Sequence, residues 1–126
     1  MESTTQPLQS DILTVKKNPL RLNKLQLRTL ALAQVLASDE KFSTTNEDDG
    51  SVQILSMPKP HGNHVHVGEF IISAKEASGL SNPSVWLVLQ RKGLVSEQTP
   101  LTVTLTSDGI GYDTGLGERF LKRSDH

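Results

Sequence analysis

Cysteine does not occur in the 126 residues of this chain. That absence excludes a disulfide framework, a thiolate zinc site and a cysteine nucleophile in one step. Aromatic side chains are scarce as well: Phe42, Phe70, Trp86, Tyr112 and Phe120 are all there are. A core must therefore be assembled from Leu, Val, Ile and Ala, which suits short helices on a small sheet better than a wide sandwich around a large ligand cavity. No apolar run approaches the roughly 18–20 residues needed to cross a bilayer. Met1 to Ser10 is polar and lacks the basic-then-apolar order of a signal peptide. The expectation is a cytoplasmic protein with no membrane partner.

Charge of one sign is also missing. The formal net charge is −1, so no bulk attraction draws the chain to nucleic acid, and non-specific coating of DNA is disfavoured. Local clusters remain: Lys16, Lys17, Arg21, Lys24 and Arg28, then Arg91 and Lys92, then Arg119, Lys122 and Arg123. A length of 126 residues fits one domain. Residues 1–18, rich in Thr, Gln and Ser, read as a flexible arm, and residues 19–126 as the domain.

Along the domain, Asn23 and Gln26 make a capping-box pattern that starts a helix over about 23–38. Leu25, Leu32 and Leu36 give it an apolar stripe, and Leu27 and Leu30 widen the stripe to more than one side. Residues 43–50 read as a polar loop of turn-forming side chains. Val52 to Ser56 and His64 to Ile72 then read as the two arms of a long β-hairpin joined through 58–63. The second arm alternates up to Glu69 and becomes apolar on both faces at Phe70-Ile71-Ile72, as in a strand entering the core. Ser73-Ala74-Lys75-Glu76 is a second capping box, with Gly79 ending its helix. Asn82 caps a further helix over 83–92, Pro83 occupies its tolerated first position, and Gly93 stops it. Leu101 to Thr106 alternates as a strand. A glycine-rich tail comes next, then a few helical residues over 118–123.

The segment from Ile72, ISAKEASGLSNPSVWLVLQRKGLV, resembles the helix-turn-helix of winged-helix regulators. Its Gly79-Leu80-Ser81 stands where that family turns into the recognition helix. Its Lys92-Gly93-Leu94-Val95 stands where the family steps into the wing. Leu101 to Gly109 looks like the second wing strand of distantly MarR-like members. The resemblance spans residues 70–109 and implies an α+β, winged-helix-like domain with a long β-hairpin before the helix-turn-helix. It further implies DNA binding or transcription regulation. Ser81, Asn82 and Ser84 would lie at a helix N-terminus facing phosphates and base edges, with Gln90 and Arg91 further along and Lys75 and Lys92 as phosphate contacts. Positions 85–89, Val-Trp-Leu-Val-Leu, are apolar on nearly every side. They imply a homodimer through Val85–Leu89 or burial of Trp86 and Val88 against the hairpin.

Three of the four histidines fall within six residues: His61, His64 and His66. A strand sets residues i and i+2 side by side, so His64 and His66 share a face, and His61 can complete a three-nitrogen set for zinc or another divalent metal. This metal-binding reading is the alternative to DNA binding; a protein-interaction module of the same fold is a third. No other cofactor is expected. Gly109 to Gly117 comes after a strand, yet too little chain remains for a nucleotide-binding βαβ unit, and it reads as a loop with several positive-φ positions. No serine sits in a nucleophile elbow, so no catalytic residue is assigned.

Overall fold

The computed structural model describes residues 18–99 and 101–116. The expected N-terminal arm, but for Asn18, and the helical residues expected over 118–123 lie outside them. Within the described chain, three α-helices and two antiparallel sheets share one apolar core.

Helix α1 runs Lys24–Ala37. Its start is fixed as the capping box dictates. The Asn23 side-chain oxygen accepts the Gln26 N–H at 2.8 Å, and the Gln26 side-chain oxygen accepts the Asn23 N–H at 2.9 Å. From Thr29 to Ala33 every residue is buried, so this helix has no solvent face in its middle. Thr29, the one polar member, returns its hydroxyl to the Leu25 carbonyl, which satisfies it without a tertiary partner. Leu30, Leu32 and Leu36 are the largest side chains that α1 buries completely, each worth about 1.5–3 kcal/mol relative to exposure.

Residues 43–50 are only partly loop. Ser43–Thr45 is an edge strand, β1, paired antiparallel with β2, Val52–Ile54. The turn between them is held by side chains on backbone: Asn46 accepts the Asp48 N–H and Asp49 accepts the Ser51 N–H, both at 2.9 Å. The Ser51 hydrogen bonds also hold the Asp49 carboxyl below its ordinary range.

The expected long hairpin is rearranged. Val52–Ile54 does not pair with the histidine strand; it pairs with β1 on one side and with β7 (Val103–Leu105) on the other. The histidine segment forms its own three-stranded sheet instead, β3 (Pro60–His61), β4 (His64–Val67) and β5 (Phe70–Ser73). Both turns are two residues long, and Gly62 and Gly68 open them with positive φ. The break in alternation at Phe70 is this turn. Gly68-Glu69 reverses the chain, and Phe70-Ile71-Ile72 begins a new strand whose Ile72 is buried and whose Ile71 is 45% exposed.

The helix expected from Ser73 is replaced too. Residues 74–77 are turn and Ser78–Ser81 is a single 3-10 turn, so 74–92 contains one α-helix rather than two crossed ones. The Ser73 hydroxyl accepts the Glu76 N–H at 3.1 Å, as in a capping box. Two constraints cut the helix short. Sheet pairing keeps the chain extended through Ser73, and Pro83 forces Asn82 into an extended conformation. The 3-10 turn also lies directly on α1: a Cβ on Gly79 would overlap the Thr29 hydroxyl.

Helix α2, Pro83–Arg91, is capped by the Asn82 side chain accepting the Ser84 N–H at 2.9 Å. Gly93, at φ +81°, ends it in a Schellman motif, with its N–H on the Gln90 carbonyl and the Leu94 N–H on the Leu89 carbonyl, both at 3.0 Å. Leu89 and Leu94, both fully buried, supply the accompanying apolar contact. Strand β6, Val95–Gln98, comes next and pairs with β7 through a bulge between Val95 and Glu97, giving the larger sheet the order β1-β2-β7-β6.

The glycine-rich tail is not a loop at its start. Ser107–Gly111 is a short helix, α3, capped by Thr106, whose hydroxyl accepts the Gly109 N–H and donates to the Gly93 carbonyl at 2.7 Å. Gly109 is required here for closeness rather than for φ, because a Cβ would overlap the Leu94 carbonyl oxygen. Among the described residues of that stretch, only Gly115 has positive φ. The Gln34 amide then ties α3 to α1 through the carbonyls of Gly109 and Tyr112, at 2.9 and 2.8 Å.

The two glycines separate two costs. Gly109→Ala must push backbone apart and is expected to lose about 2–3 kcal/mol, as overpacking does. Gly93→Ala meets open space and strains only its φ, losing about 1 kcal/mol. Urea denaturation of both variants measures the difference, and equal losses would contradict the close Leu94–Gly109 approach.

Candidate nucleic-acid interface

The residues expected to meet DNA fall around α2, and the structure sorts them by what their side chains already do. Ser81 and Ser84 are exposed at its N-terminus. Asn82 is half-buried and its oxygen is engaged as the cap. Gln90, although exposed, donates from its amide to the Ser96 carbonyl at 3.2 Å, within the β6 bulge. It therefore fixes the strand after α2 relative to the helix. Arg91 is exposed in the last turn, where the helix dipole favours a cation. Lys75 is exposed in the turn before the 3-10 segment.

Lys92 is placed differently. It lines a cleft of about 640 Å³ whose walls include Leu20, Leu94, Asp108, Tyr112 and Asp113, and its side chain is exposed. A second groove, of about 390 Å³, lies between the start of α2 and the loop joining β6 to β7. Leu80, Ser81, Pro83, Trp86, Gln98 and Thr99 form it. That loop is braced by Thr99, whose hydroxyl accepts the N–H groups of Leu101 and Thr102.

Compared with known proteins, the chain matches no family model, no curated sequence and no solved structure. Among the described residues no helix is long and apolar enough to cross a membrane.

The apolar run of α2 resolves into two faces. Val85, Trp86 and Leu89 are buried in the chain's own core, and Val88 is half-buried. The indole N–H of Trp86 donates to the Leu80 carbonyl at 2.9 Å, so this tryptophan needs neither a partner subunit nor the hairpin to satisfy it. A dimer face built from the whole of Val85–Leu89 is thereby corrected. Only Leu87, 44% exposed, points fully outward. The outer surface of α2 thus carries Ser84 near its start, Leu87 in the middle and Arg91 at its end. The strands beyond it bring no cation to this surface, since residues 95–105 contain Glu97 and neither Lys nor Arg.

The Trp86–Leu80 hydrogen bond was not legible in sequence. A single tryptophan six residues after a leucine carries no signal for it. Replacing Trp86 with Phe leaves the buried Leu80 carbonyl without its donor and is expected to cost about 1–3 kcal/mol. Chemical denaturation measures that loss. Intrinsic stability equal to that of the parent protein would place the carbonyl in water instead.

The three histidines are brought together. His61 pairs with His64 across β3–β4, and His64 and His66 stand on one face of β4. Their ring centres are 6.1 Å (His61–His64), 5.5 Å (His61–His66) and 5.0 Å (His64–His66) apart. As the side chains stand, no three His, Asp or Glu groups among the described residues form a metal-holding set.

Proposed function

We propose that this chain is a winged-helix-like module that binds duplex DNA through the outer face of α2. The observation that carries the reading is the strand order. β7 lies between β2 and β6, with α2 entering the β6–β7 hairpin directly through its Schellman turn. Helix α1, β2, the 3-10 turn, α2, β6 and β7 follow the winged-helix order of helix, strand, second helix, recognition helix and wing, with β1 added before β2 and the second helix reduced to a single 3-10 turn. The β3–β5 sheet is then an insertion between the first strand and the short helix. Ser81 and Ser84 at the helix start reach toward phosphate oxygens, and Arg91 and Lys75 supply the charge. Lys92, exposed just past the end of α2, adds to that charge.

Fluorescence anisotropy of a labelled mixed-sequence duplex, titrated at about 50 and then about 200 mM salt, tests this directly. Binding is expected to weaken with salt, and Arg91→Ala and Lys75→Ala are each expected to reduce the log–log salt slope by about one. Binding that is absent at low salt, or unchanged by both substitutions, removes the proposal.

A second reading has one specific observation in its favour: Leu87 is exposed in the middle of the α2 face, where DNA readers place polar groups. On that reading the same face docks a second copy of the chain. Sedimentation velocity would then find a dimer that Leu87→Glu dissociates, whereas a monomer at all concentrations excludes it.

A further inference from the structure

The outer face of the β3–β4–β5 sheet holds a group of side chains that DNA binding does not use. Strand pairing sets His61 opposite His64, His64 opposite Ser73, and His66 opposite Ile71. The backbone therefore places all five side chains on one face. The other face is committed to the core: Val65 and Val67 are buried to 3% and 0%, and Ile72 to 6%. β4 is the central strand, hydrogen-bonded on both sides. Its histidine positions are thus held in register by packing beneath them and pairing on either side.

We infer that His61, His64 and His66 form a binding site for one borderline divalent cation such as Zn²⁺, with the remaining coordination positions open to solvent. Imidazole is the preferred ligand of Zn²⁺, Ni²⁺ and Cu²⁺, and a His-x-His pair on a strand with a third histidine from the neighbouring strand gives a facial three-nitrogen set. The spacing fits. With ring nitrogens about 2.1 Å from a tetrahedral metal, the ring centres stand roughly 5 Å from one another. The observed separations are 5.0, 5.5 and 6.1 Å. In two of the pairs the rings stand edge to face, at interplanar angles of 76° and 78°, and as they stand the three form no metal-holding set.

To hold the cation the three rings would turn about their side-chain bonds. His61 and His66 are exposed and His64 is half-buried, so no core packing opposes the turn. The cation would join β3 to β4, two strands that otherwise share only the pairs Pro60–Val65 and His61–His64. It would also lie beside Ile71, whose exposed side chain shields one flank of the site.

Isothermal titration of the full chain, prepared without a histidine tag, with Zn²⁺ is the first test. One equivalent is expected to bind in the micromolar range, and His61→Ala is expected to weaken binding roughly tenfold or more, with H64A/H66A losing it. Zn²⁺ is also expected to raise the melting temperature of the parent protein and not of H64A/H66A. Should the double variant fail to fold by circular dichroism, ring-proton NMR of the parent protein decides the matter. Zn²⁺ must then shift the signals of His61, His64 and His66 and leave that of His126 in place. Variants that titrate like the parent, or a cation that moves His126 as much as the other three, overturn the site. Neither outcome bears on duplex binding, which is measured without metal.

Discussion

The fold is arranged around a helix whose middle has no solvent face. Helix α1 meets β1, β2 and β4, the 3-10 turn, α2 and α3, and its middle residues from Thr29 to Ala33 are all buried. A helix covered from so many directions needs neighbours that come close, and the chain supplies small residues where they do. Ala31 and Ala33 lie on α1 itself, and Gly79 meets Thr29 from the 3-10 turn. In a core with few aromatic rings, such close approach does the filling that larger side chains would do elsewhere. The same demand explains why the segment after β5 is a tight turn and not a helix. A full α-helix cylinder, about 10–12 Å across with its side chains, would hold the chain further from α1 than Gly79 now stands.

Local signals in the sequence held at α1 and α2, though not at the Ser73–Glu76 box, whose expected helix is a turn. The Asn23–Gln26 capping box, Asn82 as cap with Pro83 behind it, and Gly93 as the stop of α2 each appear at the expected residue. The alternation of His64, Val65, His66 and Val67 correctly divides solvent face from core face. These features depend on hydrogen bonds and backbone angles within a few residues, which a sequence displays directly.

Pairing between distant strands was not legible in the same way. Val52–Ile54 reads as a partner for the histidine strand, but it takes β1 and β7 instead, because the polar stretch at Ser43–Thr45 and the alternating strand at 103–105 close a sheet over α1. The Gly68-Glu69 turn was hidden by an unbroken run of strand-forming residues, with one glycine as its only mark. Helix α3 was masked by glycines that usually signal a loop; Thr106 as a cap is the clue that composition obscured. For the candidate DNA-facing residues the limit is different. Sequence places Ser81 just before α2 and Ser84 and Arg91 on it, but only tertiary contacts show Gln90 holding the β6 bulge.

The pairing of β2 with β7 also sets the order in which the molecule can be made. Val52 has its partner at Leu105, and α3, which covers another side of α1, comes later still. During synthesis the first helix must therefore wait, apolar and unprotected, until nearly the whole described chain has left the ribosome. The strand pairs of the small histidine sheet lie within residues 60–73, yet its Val65, Val67 and Ile72 belong to the same core and stay uncovered until α1 packs on them. That interval, before the centre has formed, is when the chain is most open to misassociation.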